Sequence, residues 1–192
     1  MTLTRRGALA RLSALAGLAG LSAAFSGCGL LPAGPPDPMP PIVFVHGNGD
    51  TAALWMTTLW RFESNGWPRD RLHALHFPNP VSRDDDSKPQ AGRSSADEQM
   101  RQLSDEVDRV LSATGADKLV LMGNSRGGNA IRHYIQNGGG GKRVSHAILG
   151  GVPNHGVYDW DEGLGGEFNG RGPFLRGLNA GDSEVTPGTA FL

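Results

Sequence analysis

The sequence predicts an α/β fold, in which a mostly parallel sheet carries helices on both of its faces. Short apolar runs alternate with segments of helical periodicity from residue 42 to residue 149, in the order β-α-β-α-β-α-β. This alternation builds parallel sheets, because each crossover helix returns the chain to the end of the sheet from which it started. The 29 glycines among 192 residues fit a fold with several tight turns between strands and helices.

Four runs of continuous or alternating apolar residues have the length and composition of strands. Each is bounded by glycine, proline or polar residues, and the first, Ile-Val-Phe-Val, is apolar at every position, as expected for a strand buried on both faces. The predicted strands are residues 42–45, 71–77, 118–122 and 144–149.

Three segments between these runs have helical spacing. They are residues 53–64, 95–114 and 129–136. The second is the clearest, because Ser95 and Glu98 have the spacing of a capping box and Gly115 stops the apolar stripe. The polar stretch 81–92 contains three consecutive aspartates, and we expect a solvated loop there, because adjacent carboxylates do not converge on one metal ion without other ligands.

The first 41 residues have the pattern of an export signal followed by a tether. Residues 1–28 have an arginine pair, Arg5-Arg6, followed by a mildly apolar stretch, which is typical of a twin-arginine-like export signal. The sequence Phe-Ser-Gly before Cys28 resembles a bacterial lipoprotein processing site, so we expect Cys28 to carry lipid and to attach the protein to a membrane. The alternative is cleavage after a small residue, with Cys28 uninvolved. Residues 29–41 contain six prolines and predict a stiff extended tether.

Composition excludes several kinds of partner and site. The formal net charge of −1 does not indicate a nucleic-acid partner. A single cysteine excludes an internal disulfide and the zinc sites built from several cysteines. We expect no metal and no cofactor, and the sequence does not indicate an oligomeric state. The export signal predicts a periplasmic or membrane-anchored lipoprotein, or a secreted protein.

The first chemical motif is Gly-Asn-Ser-Arg-Gly at residues 123–127. It fits G-x-S-x-G, and it follows a predicted strand and precedes a predicted helix, which is the context that this motif requires for a nucleophilic serine. Side chains at the two glycines would collide with the backbone of so sharp a turn. The motif therefore predicts Ser125 as a nucleophile; the alternative is a serine that only caps the helix.

The second motif is the glycine-rich turn at residues 46–50, directly after the first strand. Such a turn can direct a backbone N–H into a cleft, and with the N–H of Arg126 it would form an oxyanion hole. We predict that Asn48 supplies the first donor. His46 is expected to order this turn rather than to act as a base.

Together these motifs resemble the bacterial secreted class 2 lipases of the Bacillus lipase A type. The resemblance extends over residues 42–156, about three-fifths of the chain, and the similar stretches within it are residues 43–47, 65–72, 114–118, 123–128 and 150–156. The resemblance implies an α/β-hydrolase fold and hydrolysis of carboxylic esters, with Ser125 as nucleophile and Asn48 and Arg126 as oxyanion donors. Those lipases have His-Ser-Met or His-Ser-Gln where this chain has Asn-Ser-Arg, so Arg126 raises the further expectation of a polar or acidic acyl group.

The acid and the histidine of the triad follow two later strands in those lipases. No segment after Leu149 offers two more buried strands, so we expect a partial α/β-hydrolase domain over residues 42–192, truncated before both groups. The alternative is that His155 is the base within this chain, with Asp159 or Asp161 near it and residues 163–181 as a lid.

The expected function is that of a serine esterase or lipase that forms an acyl-enzyme on an ester or lipid substrate. Within this class a secreted polyester depolymerase is an alternative. From other classes, a non-catalytic lipoprotein that binds a lipid or a partner, and an acyltransferase that uses the same serine, remain open.

Overall fold

The computed structural model describes residues 39–181 and 183–192. The predicted export signal and Cys28, as well as most of the predicted tether, lie outside these residues. Within the part that is described, no helix is both long enough and apolar enough to cross a membrane.

Five strands form one parallel sheet in the order β2-β1-β5-β6-β7. Their bounds are β1 Ile42–Val45, β2 Leu72–Leu75, β5 Leu119–Asn124, β6 Val144–Gly150 and β7 Ala190–Phe191. β1 lies between two neighbours and is buried at every residue, as its continuous apolar sequence predicts. β7 pairs in parallel with β6, with Ala190 opposite His146 and Phe191 opposite Ala147.

Helices cover both faces of this sheet, which confirms the predicted fold class. They are α1 Met56–Ser64, α2 Ala96–Thr114, α3 Arg126–Asn137 and α4 Pro173–Leu178, and a 3-10 turn, Ala52–Trp55, precedes α1. Leu59 of α1 and Trp55 pack with Phe44 and Ile42 on one face. The other face carries α2 and α3 and the larger core, which includes Val43, Val45, Leu121, Leu103, Val107, Ile131 and Tyr134.

Two predictions of local structure need correction. α3 begins at Arg126, three residues before the predicted start, because the turn at Ser125 passes directly into the helix and the glycines at 127 and 128 conceal its first turn from a periodicity argument. The predicted loop 81–92 is also more ordered than expected: β3 Val81–Ser82 and β4 Arg93–Ser94 pair as a second, two-stranded sheet.

The capping box predicted for α2 is present. The Ser95 hydroxyl accepts from the Glu98 backbone N–H at 3.1 Å, and the Glu98 carboxylate accepts from the Ser95 N–H at 2.8 Å. Gly115 ends the helix in the left-handed conformation, which glycine adopts without steric cost. The helix ends were thus determined by local sequence.

Candidate active site

Ser125 lies at the sharp turn between β5 and α3. Its backbone has φ 51° and ψ −127°, and it is the only non-glycine residue with positive φ among the described residues. The turn is held from both sides, because the Ser125 N–H donates to the Gly150 carbonyl and the Gly128 N–H donates to the Ser125 carbonyl, each at 3.0 Å. A conformation of this kind costs of order 1–3 kcal/mol and persists where the surrounding structure imposes it.

The glycines on either side of Ser125 are needed for close approach. A Cβ at Gly127 would press against the carbonyl oxygens of Val45 and His46, at 2.6 Å from the latter. A Cβ at Gly123 would lie 2.6 Å from the Ile131 side chain. The elbow therefore packs directly against the end of β1, as the motif requires.

The turn after β1 lies beside Ser125. A Cβ at Gly47 would lie 3.0 Å from the Ser125 Cβ. The next residues are fixed by the segment before and within β3: Asn48 Oδ1 accepts from the Ser82 N–H at 2.7 Å, and the Gly49 N–H donates to the Pro80 carbonyl at 3.2 Å.

The backbone N–H groups of Asn48 and Arg126 donate to no other residue in the described part of the chain. Arg126 is the first residue of α3, where N–H groups have no partner within the helix and the helix dipole is positive. Both groups are therefore free to bind an oxyanion. Their role as the two donors stays a prediction.

His46 is completely buried behind this turn. Its Nδ1 contacts the Gly47 carbonyl at 3.0 Å, and its Nε2 accepts from the Phe77 N–H at 3.2 Å. Both contacts fit a neutral ring that donates from Nδ1, and burial lowers its pKa. His46 thus joins the turn after β1 to the residues that follow β2.

The expectation that the Arg126 side chain binds an acyl group is wrong. This side chain is completely buried, and its guanidinium donates only to protein acceptors among the described residues. It contacts Glu167 Oε2 at 2.6 Å, the Pro80 carbonyl at 2.9 Å, and the Ser94 Oγ and carbonyl at 3.1 and 2.7 Å. A buried guanidinium needs such partners, and they hold the side chain away from any substrate.

Sequence reasoning did not find Glu167, the ionic partner of Arg126. It is 2% exposed. Burial raises its pKa to about 7, although Arg126 favours its ionised form. The available signal was an acidic residue within the apolar and small sequence Gly-Gly-Glu-Phe-Asn-Gly at 165–170, together with the unusual arginine after the nucleophile.

His155, the candidate base within the chain, lies near Glu184 and Asn179 in the structure. Its side chain is 74% exposed, its Nε2 lies 3.4 Å from Glu184 Oε1, and its Nδ1 lies 3.5 Å from Asn179 Nδ2. Asp161 pairs with Arg171 at 3.0 Å rather than with His155. No hydrogen bond joins His155 to Ser125 among the described residues, so the role of His155 as a base stays a prediction.

The three consecutive aspartates bind other residues of the loop between β3 and β4 and of the segments that flank it. Asp84 binds Gln90 and Arg93, Asp85 binds Ser87 and Lys88, and Asp86 accepts from the Ala96 N–H at the start of α2. Within residues 39–181 and 183–192, no group of three or more potential metal ligands is found. The aspartates therefore stabilise this loop through hydrogen bonds and ion pairs.

Comparison with known proteins agrees with this geometry. A family model described as the alpha/beta hydrolase fold matches residues 40–178. Among solved structures, the mature form of Bacillus licheniformis lipase BlEst2 matches with a TM-score of 0.56 and 17% identity, over 83% of this chain and 66% of that chain. Aspergillus fumigatus lipase B matches with a TM-score of 0.56 and 13% identity, over 74% of this chain and 34% of that one.

A further similar structure is the product of gene lin2722 from Listeria innocua, with a TM-score of 0.54 and 16% identity, over 79% of this chain and 68% of that one. The chain spans 28% of the length of the propeptide form of BlEst2. At such identities the similarity to solved structures demonstrates a shared fold.

Proposed function

Because the chain belongs to the α/β hydrolase fold family, we propose that it is a serine carboxylic ester hydrolase that forms an acyl-enzyme on Ser125. The observation that carries this proposal is the positive φ of Ser125, at the turn from a buried strand into a helix. A serine that merely capped α3 would need a side-chain bond to the helix, and none is made. The strain is instead typical of a nucleophile presented to a cleft.

In the proposed reaction, the Ser125 hydroxyl attacks the ester carbonyl and gives its proton to a histidine. The N–H groups of Asn48 and Arg126 bind the negative oxygen of the tetrahedral intermediate. Its collapse breaks the ester C–O bond, and the histidine gives its proton to the leaving alcohol. Water, deprotonated by the same histidine, then attacks the acyl-enzyme and releases the acid, and the proton returns to Ser125. His155 is the candidate base within this chain. The identity of the triad acid is not part of the proposal.

Ester substrates are supported by the names of two similar structures, both of which are described as lipases. Chain length, and the choice between a lipid and a polyester, are not assigned. The alternatives of a binding protein and an acyltransferase are separated by experiment: a binding protein shows no turnover that depends on Ser125, and an acyltransferase transfers its acyl group to an added alcohol in preference to water.

The test of this function is covalent labelling of the purified chain with a fluorophosphonate, detected by intact mass, with Ser125→Ala as the control. We expect one adduct on the wild-type chain, mapped to Ser125, and none on the variant. A folded wild-type chain that is not labelled would contradict the presence of an activated serine in this chain.

A further inference from the structure

A loop defined by residues 157–172 contacts Arg126, the residue after Ser125, through Glu167. It is closed by its own hydrogen bonds, since the Val157 N–H donates to the Phe168 carbonyl at 2.9 Å and the Gly170 N–H donates to the Tyr158 carbonyl at 2.8 Å. Trp160 near its start is 57% exposed, whereas Glu167 in its second half is buried. The loop therefore combines an exposed aromatic side chain with a buried acidic residue.

Glu167 binds the residue directly after the nucleophile. Its Oε2 lies 2.6 Å from Arg126 Nε, and both side chains are essentially without solvent contact. Breaking a buried ion pair at one partner leaves an uncompensated charge and is strongly unfavourable. The position of Arg126 is therefore coupled to the position of this loop.

Arg126 in turn contacts the segment that holds the turn after β1. Its Nη1 donates to the Pro80 carbonyl, and the same carbonyl accepts from the Gly49 N–H. Ser82, two residues further along, donates its N–H to the Asn48 side chain. A continuous set of bonds thus runs from Glu167 through Arg126 and Pro80 to the turn that contains Asn48.

We propose that Glu167 is a positioning residue for the reaction at Ser125, because through Arg126 it holds both predicted oxyanion donors in place. This inference rests on the proposed function. Glu167 does not touch the reacting atoms. Its carboxylate binds the guanidinium of Arg126, whose backbone N–H is one donor. The Arg126 side chain in turn binds the Pro80 carbonyl, in the segment that holds the turn with the other donor, Asn48. Preorganised donors are effective because they need no reorganisation when charge develops.

The experiment compares fluorophosphonate labelling of wild type and Glu167→Gln at a pH well above the Glu167 pKa of about 7, where its carboxylate is ionised. The maximal rate of adduct formation (kinact) is separated from the reagent's apparent binding constant (KI). We expect kinact to fall about tenfold with KI unchanged, since small misplacements of catalytic groups cost one to two orders of magnitude. Asp161→Asn is the matched control, because it removes an exposed ion pair from the same loop and should leave both constants as they are. An unchanged kinact in folded Glu167→Gln would overturn the proposal.

A second variant separates positioning from simple support of the fold. In Arg126→Met/Glu167→Leu both buried charges are removed together, which often preserves or raises stability. If Glu167 is a positioning residue, this double variant should be more stable than Glu167→Gln but should keep a low kinact, because no side chain then binds the Pro80 carbonyl. Recovery of the wild-type kinact would show that Glu167 only neutralises a buried charge, and this variant also decides the matter if Glu167→Gln does not fold.

Hydrogen–deuterium exchange decides the inference independently of the proposed function. If the folded wild type is not labelled, the proposed function fails, and exchange of the backbone in residues 123–131 and 46–50 is compared instead. Faster exchange in both regions in Glu167→Gln, and not in Asp161→Asn, would support the positioning role. Unchanged exchange would overturn it.

Discussion

Ser125 has a backbone conformation that glycine adopts more easily than any other residue. Its φ of 51° is imposed by bonds to Gly150 and Gly128, and the conformation carries strain that the rest of the fold offsets. The residue that the chemistry needs at this position is therefore not the one that the backbone favours.

This conflict predicts an inverted order of stability. We expect Ser125→Gly to be more stable than Ser125→Ala by about 1 kcal/mol, because relief of strain at positive φ exceeds the entropic cost of glycine. Urea unfolding of both variants measures the difference. At the exposed helical position Ser112 the order should be the usual one for a helix. There, Ser112→Ala should be more stable than Ser112→Gly by about 1 kcal/mol. Equal behaviour at the two positions would contradict strain at Ser125.

The raised pKa of Glu167 predicts that the free energy of unfolding depends on pH. Burial raises its pKa from 4.5 to about 7, with Asp86 adding to the increase and Arg126 opposing it. Between these values the folded protein holds a proton that the unfolded chain does not. The stabilising contribution is therefore complete below pH 4.5 and is lost as the pH rises through about 7.

The measurement is the difference in free energy of unfolding between wild type and Glu167→Gln from pH 4.5 to pH 8, since glutamine mimics the protonated acid. We expect the stability of wild type relative to the variant to fall by on the order of 3 kcal/mol as the pH rises, at 1.36 kcal/mol per unit of pKa shift. A difference that does not vary with pH would refute the raised pKa of Glu167.

The helix α2 illustrates how much a single element owes to its local sequence. Its capping box, its apolar stripe and its terminal glycine were all predicted, and all are present. Its N-terminus also receives a tertiary contact, because Asp86 accepts from the Ala96 N–H. The start of this helix is thus fixed both by its own residues and by the loop between β3 and β4.

Removal of the cap is expected to cost about 1 kcal/mol. Ser95→Ala deletes the acceptor of the Glu98 N–H, and loss of an N-cap hydroxyl typically costs 0.5–2 kcal/mol, about 1 on average. Thermal or urea unfolding of the variant checks this value. Ser112→Ala, the same substitution at an exposed position within α2, should be neutral or slightly stabilising. A similar loss at both positions would show that the cap has no special role.

On the scale of the whole molecule, the lipoprotein signal predicted at residues 1–28 would attach the folded domain to a membrane. We expect Cys28→Ala to move the protein from the membrane fraction to the soluble fraction of a bacterial host, because each buried CH₂ of an acyl chain contributes about 0.8 kcal/mol to membrane binding. Incorporation of labelled palmitate and cell fractionation provide the measurement. Ser26→Ala, which keeps the cysteine, is the control, and a membrane-bound Cys28→Ala protein would exclude this anchor.

Much of the site could be predicted because its signals are local. The strand, the elbow glycines and Ser125 occupy consecutive positions, and the turn after β1 follows its strand directly, so residue order alone specifies them. The fate of the Arg126 side chain could not be predicted, because a charged residue next to a nucleophile is as compatible with substrate binding as with a buried ion pair. The contacts of His155 could not be predicted either, because its neighbours Asn179 and Glu184 come from a later segment of the chain.

The sequence by itself determined the parallel α/β architecture, the ends of the principal helix and the position of the predicted nucleophile, since these depend on periodicity, caps and turn sterics that act over a few residues. Only the tertiary structure decided that Arg126 turns inward and that Glu167, 41 residues away, binds it. The physical reason is desolvation: a charge is buried only where the whole fold assembles its partners, and the partners of Arg126 come from β4, the segment before β3 and the loop 157–172.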